Sequence, residues 1–273
     1  MAEDSGQPDF RELYHRILES EYESVYSSIL APWTERHPVA RNGLLSLATR
    51  EGIPKSDDEE RWGLYALDRV NQALLLRFQQ GRADGSGWPG PQIDQEEYVR
   101  FAQSLGLTVY HPASFSPFFH EIVAVEQAED EREPIRVLSS DWPCLMLGNL
   151  LFSRAGARVA GGEKLIRKDI AETSTLYWAH RRKNRPYQDQ SHGWGSNSQW
   201  RTRFRRDFLV GTLLCFNVDG VIDLTAPDPP ADVDDGLTVE ERIELVTNRC
   251  FVTIDKPHED LYPYRDSFRV SLR

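Results

Sequence analysis

The chain has 273 residues, 40 % of them hydrophobic, enough for one large domain or two modest ones around an ordinary core. Its net charge is −11 and its pI near 5.2, so on average it repels nucleic acid and anionic membranes and favours basic partners. The longest apolar runs, such as CLMLGNLLF at 144–152, are too short to cross a bilayer, and the acidic start MAEDSGQPDF lacks the basic and apolar blocks of a secretory signal, so we expect a cytoplasmic protein.

The first hundred residues carry helix signals. Asp9, Ser56 and Asp94 each stand three positions before a glutamate (Glu12, Glu59, Glu97), the pairing in which an N-cap side chain and a returning carboxylate satisfy orphan amides. Phe10, Leu13, Tyr14, Ile17, Leu18, Tyr22, Val25, Tyr26 and Ile29 then make one helical face that should stop before Pro32. Trp62, Tyr65, Ala66, Val70, Ala73, Leu74 and Phe78 make a second, up to Gly81, and Tyr98, Phe101, Ala102 and Leu105 a third, up to Gly106. These aromatics read as core.

Beyond the Gly/Pro-rich connection at 81–92 the texture changes. LTVY, FFHEIVAVEQ, PIRVL, CLMLGNLLF, FLVGTLLCFNVDGVIDL, CFVTI and FRVSL are short, β-branched or aromatic, and read as strands, with NVDG at 217–220 as a tight turn. Residues 157–183 fit either a hairpin turning at Gly161-Gly162 or a helix from about 163, and we favour the helix. Another helix should begin at Thr238, with Glu241 as its partner. Helices first and strands later imply an α+β fold: a helical region, 1–107, packed on a largely antiparallel β-rich region, 108–273, the two forming one globular unit.

Few chemistries have a motif. Cys144, Cys215 and Cys250 are odd in number and widely spaced, which fits three small buried hydrophobes better than a disulfide framework or a metal clip. No phosphate loop, HExxH, GxSxG or EF-hand loop is present, and no cofactor is indicated. His120 and Glu121 open a predicted strand and point to opposite faces, which disfavours a shared metal. Arginine outnumbers lysine, a bias of GC-rich bacterial genomes.

One stretch concentrates polar chemistry. SHGWGSNSQWRTRFRRD, at 191–207, lies in a segment from His180 to Asp207 with eight Lys or Arg against two Asp, a local +6 that leaves −17 elsewhere. Arginine forks suit carboxylate or phosphate, so Arg201, Arg205 and Arg206 are candidates to hold an anion, with Asn197 and Gln199 fixing its orientation. Tyr187, Trp194 and Trp200 would form aromatic walls. His192 is the candidate general acid or base, because its unperturbed pKa lies near neutrality, and Asp189 would orient it. The expected function is therefore binding of an anionic small molecule or phosphate-bearing group by the basic aromatic loop 187–206. Two readings compete with it. The arginines can pair with the chain's own carboxylates, and the acidic remainder suits a non-catalytic inhibitor that neutralises a basic protein. Overall acidity argues against a nucleic-acid reader.

Overall fold

The computed structural model describes residues 10–20, 24–81, 88–191, 200–230, 236–256 and 261–272. Helices α1 (Phe10–Leu18), α2 (Ala31–Arg36), α3 (Pro38–Ala48), α4 (Asp58–Leu75) and α5 (Gln95–Ser104) precede every strand. The single face expected from 10 to 29 is broken: the Val25 N–H leaves its own turn for the carbonyl of Gln92 (2.9 Å), and the Ser24 hydroxyl donates to Glu97 (2.9 Å). A short π-helix, Tyr26–Leu30, then leads into α2, which accepts Pro32 in its first turn, where no N–H is needed. Asp57, rather than Ser56, caps α4, its carboxylate accepting the Glu60 N–H at 2.8 Å. The box of Asp94 with Glu97 opens α5 as expected, whereas Asp9 lies outside the described residues.

Seven strands form the main sheet, in the order β1 (Thr108–Tyr110), β4 (Cys144–Leu147), β5 (Leu150–Ser153), β9 (Asp207–Val210), β10 (Leu213–Phe216), β12 (Asp266–Ser271) and β11 (Ile222–Asp223). It is antiparallel except for the edge pair of β11 and β12. Because β12 lies between β10 and β11, the NVDG turn joins strands that do not pair. A second sheet holds β2 (His120–Gln127), β6 (Ala155–Gly161) and β3 (Arg136–Trp142), and a two-stranded one holds β7 (Leu176–Tyr177) and β8 (Tyr187–Gln188).

One bent hairpin belongs to both larger sheets. Its arms are β3 followed by β4 and β5 followed by β6, and each arm changes sheet at a single residue, Pro143 or Arg154. The bend is held by Trp142, whose Nε1 donates to the Arg154 carbonyl at 2.9 Å and whose ring lies where a Cβ on Gly156 would stand, 2.5 Å away.

Both faces of the main sheet are covered. Leu145, Leu147, Leu150 and Phe152 join the core beneath the N-terminal helices, while Cys144, Met146, Leu151 and Leu214 face the opposite side, with Val246 of α7 (Val239–Asn248). Double coverage explains why CLMLGNLLF is a continuous apolar run. Helix α7 opens on the expected box of Thr238 and Glu241. All three cysteines are buried and free.

Two further expectations differ. The favoured helix from 163 is only one turn, α6 (Lys168–Ala171), because β6 runs to Gly161 and the Arg167 N–H is taken by the Val252 carbonyl at 2.8 Å. CFVTI is no strand: Glu244 accepts the N–H groups of Val252 and Thr253 (2.5 and 2.8 Å) and the Thr253 hydroxyl (2.6 Å), replacing the partners of a ladder. Among the described residues no helix is long and apolar enough to cross a membrane.

Candidate functional site

From Leu64 onward helix α4 is buried nearly all round, yet it carries Tyr65, Asp68, Arg69 and Gln72 at the i, i+3, i+4, i+7 spacing of one face. That polar stripe meets the segment 176–207. Tyr65 donates its hydroxyl to both carboxylate oxygens of Asp189, at 2.7 and 2.9 Å, and the Ser191 N–H donates to the same group at 2.6 Å. Burial and the Asp189 charge raise the Tyr65 pKa, so its proton stays in place. Gln72 donates to Asp68 and accepts from Arg182 (3.1 Å) and from the His180 N–H. Burial pushes Asp68 up to about 7.

Behind this stripe lies an arginine centre. Arg182 grips Glu121 through two bonds, while Arg154 stands 3.9 Å from the same carboxylate and donates to the Asn248 carbonyl at 2.8 Å. Burial would raise Glu121, but the Arg182 and Arg154 guanidiniums outweigh it and hold the carboxyl down at about 2. Arg185 also adds its charge here, although its three guanidinium nitrogens are buried without any hydrogen-bond acceptor and the residue is 6 % exposed. Asp207 serves two guanidiniums: Arg205 Nε at 2.8 Å and Arg249 Nη2 at 2.9 Å. Burial and the neighbouring positive charges lower Arg154 to about 9; burial, with the Arg249 charge outdoing part of the Asp207 attraction, lowers Arg205 to about 10.

A cavity of about 30 Å³ joins the two halves. Its walls include Tyr65, Asp68, Trp178, Asp189, Arg205 and Arg249. Three buried donors on these lining residues lack an acceptor among the described residues: Trp178 Nε1, Arg205 Nη1 and Arg249 Nε. The Arg205 guanidinium also lies 4.1 Å above the Trp178 ring. Trp178 and Arg249 both have left-handed backbones, φ 53° and 62°, a conformation that costs bulky residues energy and collects at functional sites.

No protein-family model, curated protein or solved structure matches this chain. The site is therefore read from its own geometry.

Of the residues nominated from sequence, the structure brings Asp189 and Arg205 into the cavity. Four of the others stand apart. Arg206 is held by Asp219 through two bonds of 2.7 Å and by the Pro54 carbonyl, and exposed Arg201 lies over the Trp62 ring. Trp200 packs edge-on to Tyr14 with Arg69 over its ring, and Tyr187 sits beside His180. His192, Trp194, Asn197 and Gln199 lie outside the described residues. Tyr65, Asp68, Trp178 and Arg249 were not nominated. The signal for the first two was the polar spacing within an apolar helix; Trp178 and Arg249 leave none in the chain. Among the described residues no group of three or more His, Cys, Asp or Glu is placed to hold a metal ion.

Proposed function

We propose that the protein binds the anionic head of a small molecule, a carboxylate or phosphate group, in the cavity between Trp178, Arg205 and Arg249. The observation that carries this reading is that three residues lining one cavity, Trp178, Arg205 and Arg249, each keep a buried N–H donor with no acceptor among the described residues. A buried donor left unmade costs about 1–3 kcal/mol, and an oxygen-rich anion satisfies several at once.

Charge supports the same ligand. Two guanidiniums share the single Asp207 carboxylate, leaving one positive charge in excess. The other carboxylates of the wall oppose an anion little: Asp189 is covered by Tyr65 and Ser191, and Asp68 is largely protonated below about pH 7. Asp68 is thus the residue that can exchange a proton with a bound group.

The test is thermal unfolding against sulfate, phosphate, short carboxylates, nucleotides and an oligonucleotide at constant ionic strength, for wild type and Trp178→Phe. A ligand at a hundred times its Kd raises stability by about 2.7 kcal/mol. The expected result is a saturable rise for one anion class, weakened about three- to tenfold in affinity when the indole N–H is removed. A chain whose midpoint ignores every anion, or a Trp178→Phe variant that folds and responds like wild type, overturns the reading.

A further inference from the structure

A second cavity, about 460 Å³, opens at the bend where the hairpin changes sheets. Tyr110, Phe115, Ile135, Val137 and Pro143 give it apolar walls, and its size is that of small-molecule pockets in general. Its polar lining is one-sided. In a chain of net charge −11 its lining among the described residues holds His111, His120 and Arg136 and no Asp or Glu, although Glu133 stands 3.4 Å from the Arg136 Nε.

The buried polar group of this cavity is His120, 4 % exposed and stacked on Phe115 at 5.5 Å. Its Nδ1 faces Ser116. The Ser116 N–H lies 3.2 Å from Nδ1 and has no other acceptor, whereas the Ser116 carbonyl, 3.0 Å from Nδ1, already accepts the N–H groups of Phe119 and His120. Satisfying every backbone donor places the ring proton on Nε2. Among the described residues that nitrogen has no hydrogen-bond partner, so the ring offers the cavity a donor.

We infer that this cavity is a binding site for an aromatic monocarboxylate, its ring between the apolar walls and its carboxylate accepting from His120 Nε2 under the field of Arg136 and His111. The site is separate from the arginine cavity and shares no lining residue with it. The positive lining selects the anion, and the aromatic and aliphatic walls select a ring over a phosphate head.

The experiment is calorimetric titration with 2-naphthoate and with its uncharged methyl ester, on wild type, His120→Phe, Ser140→Trp and Arg249→Gln. His120→Phe keeps the stacked ring and removes the donor. Ser140 is an exposed lining residue, so a tryptophan there fills the cavity without entering the core. Expected are saturable binding of 2-naphthoate, binding of the ester at least tenfold weaker, a similar loss in His120→Phe and abolition in Ser140→Trp. Arg249→Gln should bind like wild type. Absence of 2-naphthoate binding at millimolar concentration, equal binding by Ser140→Trp, or loss confined to Arg249→Gln overturns the proposal; the last would move the ligand to the arginine cavity.

Discussion

Arg182 and Glu121 face each other across two hydrogen bonds of 2.7 and 2.9 Å, with both side chains out of solvent. Such a pair contributes little net stability relative to apolar residues, yet breaking it strands a buried charge. Glu121→Gln should therefore cost about 3–5 kcal/mol at neutral pH, since Arg154, Arg182 and Arg185 then have no shared counter-charge. The folded carboxyl is held at about 2, below its unfolded value, so its stabilisation is present above the ordinary carboxylate range and fades as pH falls through about 2. The gap between the urea midpoints of wild type and variant should narrow below about pH 4.5 and close as pH approaches about 2. A constant gap would locate the loss in packing.

Arg185 offers the opposite case. Among the described residues its buried guanidinium has no hydrogen-bond acceptor and meets Glu121 only through space, so Arg185→Met exchanges a poorly compensated charge for a flexible apolar chain of similar length. Denaturant midpoints should be unchanged or correspond to a gain of about 1–4 kcal/mol. A clear loss of stability would mean that the guanidinium has a partner in solution.

For Asp68 the shift runs upward, to about 7, because burial penalises the charged form. Between roughly pH 4 and 7 the folded protein holds a proton that the unfolded chain has released, so stability declines as pH rises through that window. Asp68→Asn should match wild type near pH 4 and exceed it at pH 8 by on the order of 2–4 kcal/mol. Equal urea midpoints at pH 8 would contradict the upward shift. If the arginine cavity takes anions, wild type should bind sulfate more tightly at pH 6 than at pH 8, and the variant should lose that difference.

Gly156 meets the Trp142 ring at the hairpin's bend. Gly156→Ala has no room for its methyl group and should cost about 1–3 kcal/mol, with a change in tryptophan fluorescence as the indole is displaced. Unaltered thermal midpoint and emission would show that the bend yields.

What could be read along the chain was local. The boxes at Asp94 and Thr238 close within three residues, and they mark α5 and α7 correctly. Where long-range partners intervene, periodicity misleads: Gln92 captures Val25 and divides the first helical face, and Glu244 binds the amides of Val252 and Thr253, so a β-branched run stays outside every sheet. Arginine is dense between 180 and 207, but Arg182, Arg185, Arg205 and Arg206 turn inward while Arg201 and Arg203 stay exposed. Arg182 and Arg205 take carboxylates of their own chain, and the cavity is completed by Tyr65, Asp68 and Arg249 from elements far along the sequence. Helical spacing links Tyr65 to Asp68, but no spacing rule links them to Arg249, because only tertiary folding brings those together.

The hairpin shared by both larger sheets carries a consequence for cooperativity. Peeling β3 from β6 releases the corner that holds β4 and β5, and opening β4 from β5 loosens the same corner from the other side. Neither sheet can then melt as a separate foldon, and amide protons on β2 and on β9, in different sheets, should exchange through one common opening.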